Sequence, residues 1–234
     1  MKKYICAELM EALKGKKAFI FDFDGTLAST DEILYQTLKI LCKKYDYAYT
    51  RKEFEKIRGK KSSEYFKQFK SVVGDNVDEK QMVEDYLNTF NKITLSQKLH
   101  CYKYVKELVD AFPDKTYCVA SNNVQEFLEQ RISDFGLNKL FKNIFACGSG
   151  YLDKEYVYKN IQQLIGVMAK DCVLFEDNQD YIKLAESFGF TSVAIVHENN
   201  KEIKADYYID LRSDEKGSNK NEWSWPIYGW FADW

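Results

Sequence analysis

The sequence predicts an α/β fold: a doubly wound parallel sheet with a small helical domain inserted into it. Short apolar runs recur along the chain, and helical stretches separate them. The first run is followed by a long stretch whose pattern is helical throughout. A length of 234 residues is enough for one sizeable core with such an insertion.

Six runs form the predicted strands. They lie at residues 18–23, 116–121, 143–148, 172–177 and 192–196, with a weaker run at 206–210. The carboxyl ends of parallel strands meet at one edge of a sheet, and ligands bind there. Four of the runs end in polar or small residues, namely Asp22, then Ser121 and Asn122, then Gly148 and Ser149, then Glu176 and Asp177. We therefore expect one functional site at this edge.

The inserted domain is predicted over residues 29–97. Apolar residues recur at helical spacing in two segments of it, 31–45 and 78–93. Hinges are expected near 26–30 and 95–99. The core then comprises residues 1–28 and 98–212.

A separate aromatic tail is predicted at residues 213–234. It holds all four tryptophans, which fall within its last twelve residues. The tail is too short to span a bilayer and has almost no basic residues. Docking onto its own domain and self-association with a partner subunit both remain open.

Composition excludes several broad classes. Lys and Arg total 34 against 36 Asp and Glu, a net charge of -2, so no general affinity for nucleic acid is expected. We find no secretory apolar region and no run of membrane-spanning length, and we expect a cytoplasmic protein. The six cysteines are scattered without a CxxC pair, which favours reduced, packed thiols.

Four motifs carry a resemblance to a known family. "DFDGT" at 22–26, a Ser/Asn strand end, a lysine and a later acidic pair occur in that order. Together they resemble the haloacid dehalogenase-like superfamily over roughly residues 17 to 197. The closer match is to its capped phosphoglycolate phosphatase-like and β-phosphoglucomutase-like group. The resemblance implies a Rossmann-like core, a helical cap and Mg²⁺-dependent hydrolysis of a small phosphorylated metabolite through an aspartyl-phosphate.

The resemblance also implies catalytic and metal-binding roles. Asp22 would be the nucleophile, a covalent role open to carboxylates. Asp24 would act as general acid and then as general base, and its backbone carbonyl would bind the metal. Mg²⁺ would also be held by Asp22 and Asp177, with Glu176 binding directly or through water. A hard cation is needed because a carboxylate attacking a phosphate meets electrostatic repulsion.

Phosphate binding is implied for a second set of residues. Ser121 and Asn122 would donate hydrogen bonds to phosphoryl oxygens, and the backbone amides of Gly25 and Thr26 would complete the cradle. Lys154 would screen charge between nucleophile and phosphate. Glu155 stands where the family pattern has proline, so Lys159 is kept as a substitute for Lys154.

Residues 57–66, "IRGKKSSEYF", resemble the family's cap loop that reaches into the active site, and the resemblance implies a role in substrate recognition. Arg58, Lys60 or Lys61 would meet an anionic substrate, and Gly59 would permit the turn; a basic exposed loop is the alternative interpretation.

Three other functions are alternatives to the phosphatase. A phosphomutase resembling this sequence would have a histidine at the position of Leu34, whereas the histidines of the chain are His100 and His197. A phosphonate hydrolase would need a cap lysine for a Schiff base, and lysines are plentiful. A non-catalytic binding protein on the same fold would be expected to have lost the motif aspartates, which are all present.

Overall fold

The computed structural model describes residues 4–57, 67, 69–71, 74, 78–97, 99–149, 152–212 and 222–223. The predicted cap-loop residues Arg58, Gly59, Lys60 and Lys61 lie outside the described residues, as does most of the aromatic tail. The chain divides into two compact units: a sheet unit formed by Met1–Ser29 with His100–Trp234, and a helical unit formed by Thr30–Leu99.

A six-stranded parallel sheet forms the centre of the sheet unit, as the sequence predicts. In chain order the described strands are β1 (Ala18–Phe21), β2 (Cys101–Tyr102), β3 (Thr116–Ser121), β4 (Asn143–Ala146), β5 (Cys172–Glu176), β6 (Thr191–Val196), β7 (Tyr207–Asp210) and β8 (Glu222–Trp223). Of these, β2 and β8 lie outside the six-stranded sheet. The sheet has the order β4-β3-β1-β5-β6-β7, and each neighbouring pair is parallel. β1 therefore lies at the centre, between β3 and β5.

Three of the strands end earlier than predicted. β1 ends at Phe21, so Asp22 is the first residue beyond it. β5 ends at Glu176, one residue before the predicted end. β4 ends at Ala146 because Cys147–Ser149 turns into a short 3-10 helix. The two-residue strands β2 and β8 were not predicted; they pair antiparallel with each other.

Helices cover the sheet and build the helical unit. In chain order they are α1 (Ala7–Lys14), α2 (Asp31–Lys44), α3 (Arg51–Glu55), α4 (Glu79–Ser96), α5 (Lys103–Ala111), α6 (Gln125–Asp134), α7 (Lys154–Lys159), α8 (Ile161–Ile165) and α9 (Gln179–Ser187). Of these, α2, α3 and α4 belong to the helical unit.

The central strands bury both faces because successive side chains point to opposite sides. On one face, Ile20 and Leu174 pack with residues of α7, α8 and α9, including Val157. The other face is aromatic: the rings of Phe21 and Phe175 stack with centroids 4.4 Å apart. Such pairs add about 0.5–1.5 kcal/mol beyond area burial, so this contact stabilises the end of β1 just before Asp22.

The helical unit has its own small core. The buried side chains of this core include Leu38, Leu41, Phe54 and Met82. An ion pair of 3.0 Å between Lys44 and Asp85 links α2 to α4.

The tail contributes one described segment to the sheet unit. β8 pairs with β2 in the register Cys101↔Trp223, so this part of the tail docks onto its own chain. All six cysteines are free, and five are buried, in agreement with the prediction of packed thiols. Within the described residues, no helix has both the length and the apolar character needed to cross a bilayer.

Candidate active site

The predicted polar residues converge at the carboxyl edge of β1, β3 and β5. Phe21 is in register with Val119 of β3 and with Phe175 of β5. Asp22 follows Phe21 directly, and its amide donates to the carbonyl oxygen of Phe175 at 3.0 Å. Glu176 ends β5 beside it. The residues come together because parallel strands in register end at the same level.

Lys154 lies between two of these carboxylates. Its Nζ donates to Asp22 Oδ1 at 2.8 Å and to Glu176 Oε2 at 2.7 Å. The Lys154 side chain is only 2% exposed. Lys159, the substitute considered from the sequence, is exposed on the same helix. Of the two lysines considered from the sequence, Lys154 is therefore the one that the structure brings to the Asp22 carboxylate.

Helix α7 aims Lys154 inward without the proline of the family pattern. The side chain of Asp153 caps the helix by accepting from the amide of Tyr156 at 2.6 Å. The helix can therefore begin at Lys154, whose side chain is buried on the same face as Val157 and Tyr158. The spacing of three and four residues places these side chains on one face.

The charges of this cluster shift two pKa values. Burial acts to lower the pKa of Lys154, but the carboxylates of Asp22 and Glu176 outweigh burial and raise it well above its usual value. Burial and the Asp22 carboxylate raise the pKa of Glu176 to about 7, although Lys154 acts in the opposite direction. The lysine is thus held protonated, and the cluster still carries an excess of carboxylates.

Three carboxylates could hold a metal ion. Oxygen atoms of Asp22, Glu176 and Asp177 lie within 4.8 Å of one another. When all three carboxylates are ionised, one lysine leaves an excess of two negative charges, which a divalent cation with oxygen ligands would balance. Both oxygens of Glu176 already accept hydrogen bonds, Oε2 from Lys154 and Oε1 from the amide of Asp177. Asp22 and Asp177 are therefore the better candidates for direct metal ligands.

Gly25 permits the close approach of Asp177. Its φ is +73°, in the left-handed region, and a Cβ there would lie 2.2 Å from Asp177 Oδ2. The turn after β1 and the loop after β5 are thus packed against each other through this residue.

The turn after β1 corrects one expectation. The amide of Gly25 donates to the carbonyl oxygen of Ala28 at 2.9 Å, and that of Thr26 donates to the carbonyl oxygen of Phe23 at 3.3 Å. Both N–H groups are engaged inside the turn, so this conformation does not offer them to a phosphate. The amide of Phe23 donates to no acceptor in the part of the chain that the structure describes. It directly follows Asp22 and is the better candidate.

The loop after β3 connects the predicted phosphate-binding serine to Asp24. Asn123 Nδ2 donates to Asp24 Oδ2 at 2.5 Å and to Ser121 Oγ at 3.2 Å. The amide of Asn123 also donates to Ser121 Oγ, at 3.3 Å. Ser121 and Asp24 were predicted as site residues, whereas the side chain that connects them was not.

Tyr181 of α9 connects two further predicted residues. Its hydroxyl accepts from Asn122 Nδ2 at 2.8 Å. Its ring lies against Lys154, with Nζ 4.1 Å from the ring centroid. One aromatic side chain thus supports both the lysine and the loop after β3.

The turn after β6 supports the turns that carry the carboxylates. Asn200 Nδ2 donates to the carbonyl oxygens of Asp177 and Ile195, at 2.8 and 3.0 Å. Nε2 of the buried His197 lies 2.7 Å from the carbonyl oxygen of Gly25. Neither His197 nor Asn200 was predicted as a site residue from the sequence. The available signal was their place just beyond a buried strand of the same sheet.

Residues 19–195 match the haloacid dehalogenase-like hydrolase family, so the chain belongs to that family. Among curated proteins it is similar to 2-deoxyglucose-6-phosphate phosphatase 2 of Saccharomyces cerevisiae. The two are 25% identical over 209 residues, which cover 82% of this chain and 84% of the yeast protein. The chain is therefore an enzyme, a hydrolase of the phosphatase type.

Solved structures share the fold. A predicted phosphoglycolate phosphatase from Haemophilus somnus 129PT superposes with a TM-score of 0.70 at 18% identity, covering 88% of this chain and 99% of that one. CbbY from Rhodobacter sphaeroides, solved in complex with phosphate, gives a TM-score of 0.69 at 17% identity over 82% and 93% of the two chains. At these identities the likeness concerns the fold alone.

Proposed function

We propose that this protein is a Mg²⁺-dependent phosphomonoester hydrolase that acts on a small phosphorylated metabolite through an aspartyl-phosphate. The observation that carries the proposal is the buried contact of Lys154 with Asp22 beside a group of three carboxylates. A lysine and a cation site flanking one carboxylate would allow it to approach an anionic phosphate.

The metal would be held by Asp22 and Asp177, with Glu176 alongside and the backbone carbonyl of Asp24 as a further ligand. When bound, Mg²⁺ supplies positive charge to the phosphoryl oxygens and fixes the geometry of attack. A bound cation would also lower the pKa of Glu176, which burial otherwise raises.

In the first step, an Asp22 oxygen attacks phosphorus in line with the leaving alcohol oxygen. The Asp22–phosphorus bond forms as the bond to the alcohol breaks, and Asp24 gives its proton to the departing oxygen. In the second step, Asp24 takes a proton from water, which attacks phosphorus and releases phosphate from Asp22. The carboxylate of Asp22 and the protonated Asp24 are thereby restored.

Lys154 would stay protonated throughout and screen the charge between Asp22 and the phosphoryl group. Ser121 would donate its hydroxyl hydrogen to a phosphoryl oxygen, and Asn122 would add an amide donor. Positioning and charge supply most of the catalysis of phosphoryl transfer, so these groups need no proton transfer of their own.

The relatives support a proposal for the substrate class. The helical unit is assigned the role of a cap that recognises the leaving group, with the loop around Arg58 and Lys60 as the anion-binding element. The yeast relative is named for 2-deoxyglucose 6-phosphate, and a structural neighbour for phosphoglycolate. Sugar phosphates and phosphoglycolate are therefore the first substrates to test.

The test is phosphate release by the purified protein from a panel of phosphomonoesters, with Mg²⁺ and with EDTA. The panel contains 2-deoxyglucose 6-phosphate, phosphoglycolate, other sugar phosphates and nucleoside monophosphates. Wild type is compared with Asp22→Asn and with Asp210→Asn, which changes an exposed aspartate at the end of β7.

We expect release that requires Mg²⁺, is abolished by Asp22→Asn and is unchanged in Asp210→Asn. A hydroxylamine-sensitive phosphorylated protein should form in wild type and not in Asp22→Asn. Release that survives Asp22→Asn would contradict the assignment of the nucleophile. No release from any substrate by the folded, Mg²⁺-loaded protein would contradict the phosphatase and direct attention to phosphoryl transfer within a sugar phosphate.

A further inference from the structure

We propose that Asn123 is a positioning residue that aligns two groups of the site, the hydrogen-bond donor Ser121 and the general acid Asp24. The inference rests on the proposed function and deepens it. Its basis is one side-chain amide nitrogen within hydrogen-bonding distance of both groups, 2.5 Å from Asp24 Oδ2 and 3.2 Å from Ser121 Oγ.

The hydrogen bonds of Ser121 determine whether its hydroxyl group can still donate. A serine hydroxyl has two acceptor lone pairs and one donor hydrogen. Ser121 Oγ accepts from the side chain of Asn123 at 3.2 Å and from its backbone amide at 3.3 Å. Both acceptor positions are used, so the single O–H is left as a donor. Asn123 thus prepares Ser121 to donate to a phosphoryl oxygen.

The same side chain selects one oxygen of Asp24. When a carboxyl group is protonated, its carbonyl oxygen accepts hydrogen bonds better than its hydroxyl oxygen does. A donor 2.5 Å from Oδ2 therefore makes Oδ2 the carbonyl oxygen and leaves the proton on Oδ1. The proton to be delivered to the leaving group then has a defined position, which general acid catalysis requires.

The backbone around Asn123 is held in place. Its carbonyl oxygen accepts from the amide of Gly148 at 3.1 Å. A Cβ at Gly148 would lie 2.4 Å from the carbonyl oxygen of Asn122, so only glycine lets the two loops pack so closely. The side-chain amide of Asn123 therefore extends from a loop that is held in place, which a residue that positions other groups requires.

The test uses the leaving group of the substrate. An alkoxide is a poor leaving group and needs a proton, whereas p-nitrophenolate departs with little help. We would measure kcat/KM for p-nitrophenyl phosphate and for the best sugar phosphate. Wild type is compared with Asn123→Ala, with Asn123→Asp and with Gln130→Ala, which changes an exposed amide on helix α6.

Both Asn123 variants should lower kcat/KM for the sugar phosphate by about 100-fold, within the range that general acid catalysis contributes. The loss for p-nitrophenyl phosphate should be at least about tenfold smaller, while Gln130→Ala matches wild type. Asn123→Asp keeps the size of the side chain but faces Asp24 with an acceptor. The test therefore does not depend on the smaller variant folding.

Equal losses on the two substrates in a variant with wild-type near-ultraviolet circular dichroism would overturn the inference that one side chain aligns both groups. Loss of the Ser121 contact to the phosphoryl group, or a purely structural defect, affects both reactions alike, whereas loss of the Asp24 alignment does not. Absence of phosphate release by wild type from either substrate is a different result. It would overturn the proposed function, and this inference with it.

Discussion

Replacing Lys154 with methionine should show that a buried ion pair contributes more to the stability of the sheet unit than an exposed one does. Lys154 is 2% exposed and makes ion pairs of 2.8 Å with Asp22 and 2.7 Å with Glu176. Removing one partner of a buried ion pair leaves uncompensated charge and costs about 3–5 kcal/mol. We expect Lys154→Met to lower the free energy of unfolding by about this amount at pH 8.5 in EDTA.

The matched control is Lys17→Met. Lys17 pairs with Asp171 at the same distance, 2.8 Å, but its side chain is 66% exposed. Surface pairs contribute about 0–1 kcal/mol, so this variant should be nearly as stable as wild type. The double variant Lys154→Met/Glu176→Gln removes one of the stranded charges and should recover part of the stability without recovering activity.

The assay is urea unfolding followed by far-ultraviolet circular dichroism at pH 5.5 and 8.5. The pKa of Glu176, already raised from 4.5 to about 7, should rise further once Lys154 no longer lowers it. A carboxyl whose pKa is raised in the folded state loses its stabilising contribution as pH rises through that value. The deficit of Lys154→Met should therefore be larger at pH 8.5 than at pH 5.5.

Two results would refute this reasoning. A loss of stability in Lys154→Met no greater than that in Lys17→Met would mean that burial of the charges does not set the cost. A deficit that is the same at both pH values would mean that Glu176 is not the group left unpaired.

The other predictions concern the contacts around this cluster. Gly25→Ala should raise the Mg²⁺ concentration needed for half-maximal activity by at least about tenfold, since a Cβ would displace Asp177; isothermal titration of Mg²⁺ checks the same loss directly. Asn200→Ala should destabilise the protein by about 1–3 kcal/mol in urea, because two partly buried carbonyl groups lose their donor. Tyr181→Phe keeps the ring against Lys154 and should lower kcat less than about fivefold, whereas Tyr181→Leu removes the ring and should lower kcat more. Steady-state kinetics measure both losses, and equal losses would mean that only the hydroxyl group matters.

The sheet could be predicted from the sequence because its strands are buried on both faces. A strand of that kind is a short, nearly continuous apolar run, and polar residues at its end stand out. Asp22 and Glu176 were identified in this way. The helical unit was equally visible, because the two long segments have apolar residues at helical spacing.

The edges of the elements were less predictable. β4 and the first turn after β1 depend on local hydrogen bonds that composition does not reveal. The amides of Gly25 and Thr26 each donate to a carbonyl oxygen three residues away, which left Phe23 as the better donor. A sequence motif identifies the residues of a turn, but it does not show which carbonyl oxygens accept hydrogen bonds from their N–H groups.

The amino-acid sequence by itself determined the fold class, the place of the site and the chemical types gathered there. These depend on periodicity and on residue type, which are local properties. The tertiary structure alone decided that Lys154 meets Asp22 across 132 positions and that Asn123 meets Asp24 across 99. Such pairings follow from strand order and register, because these bring distant segments within hydrogen-bonding distance.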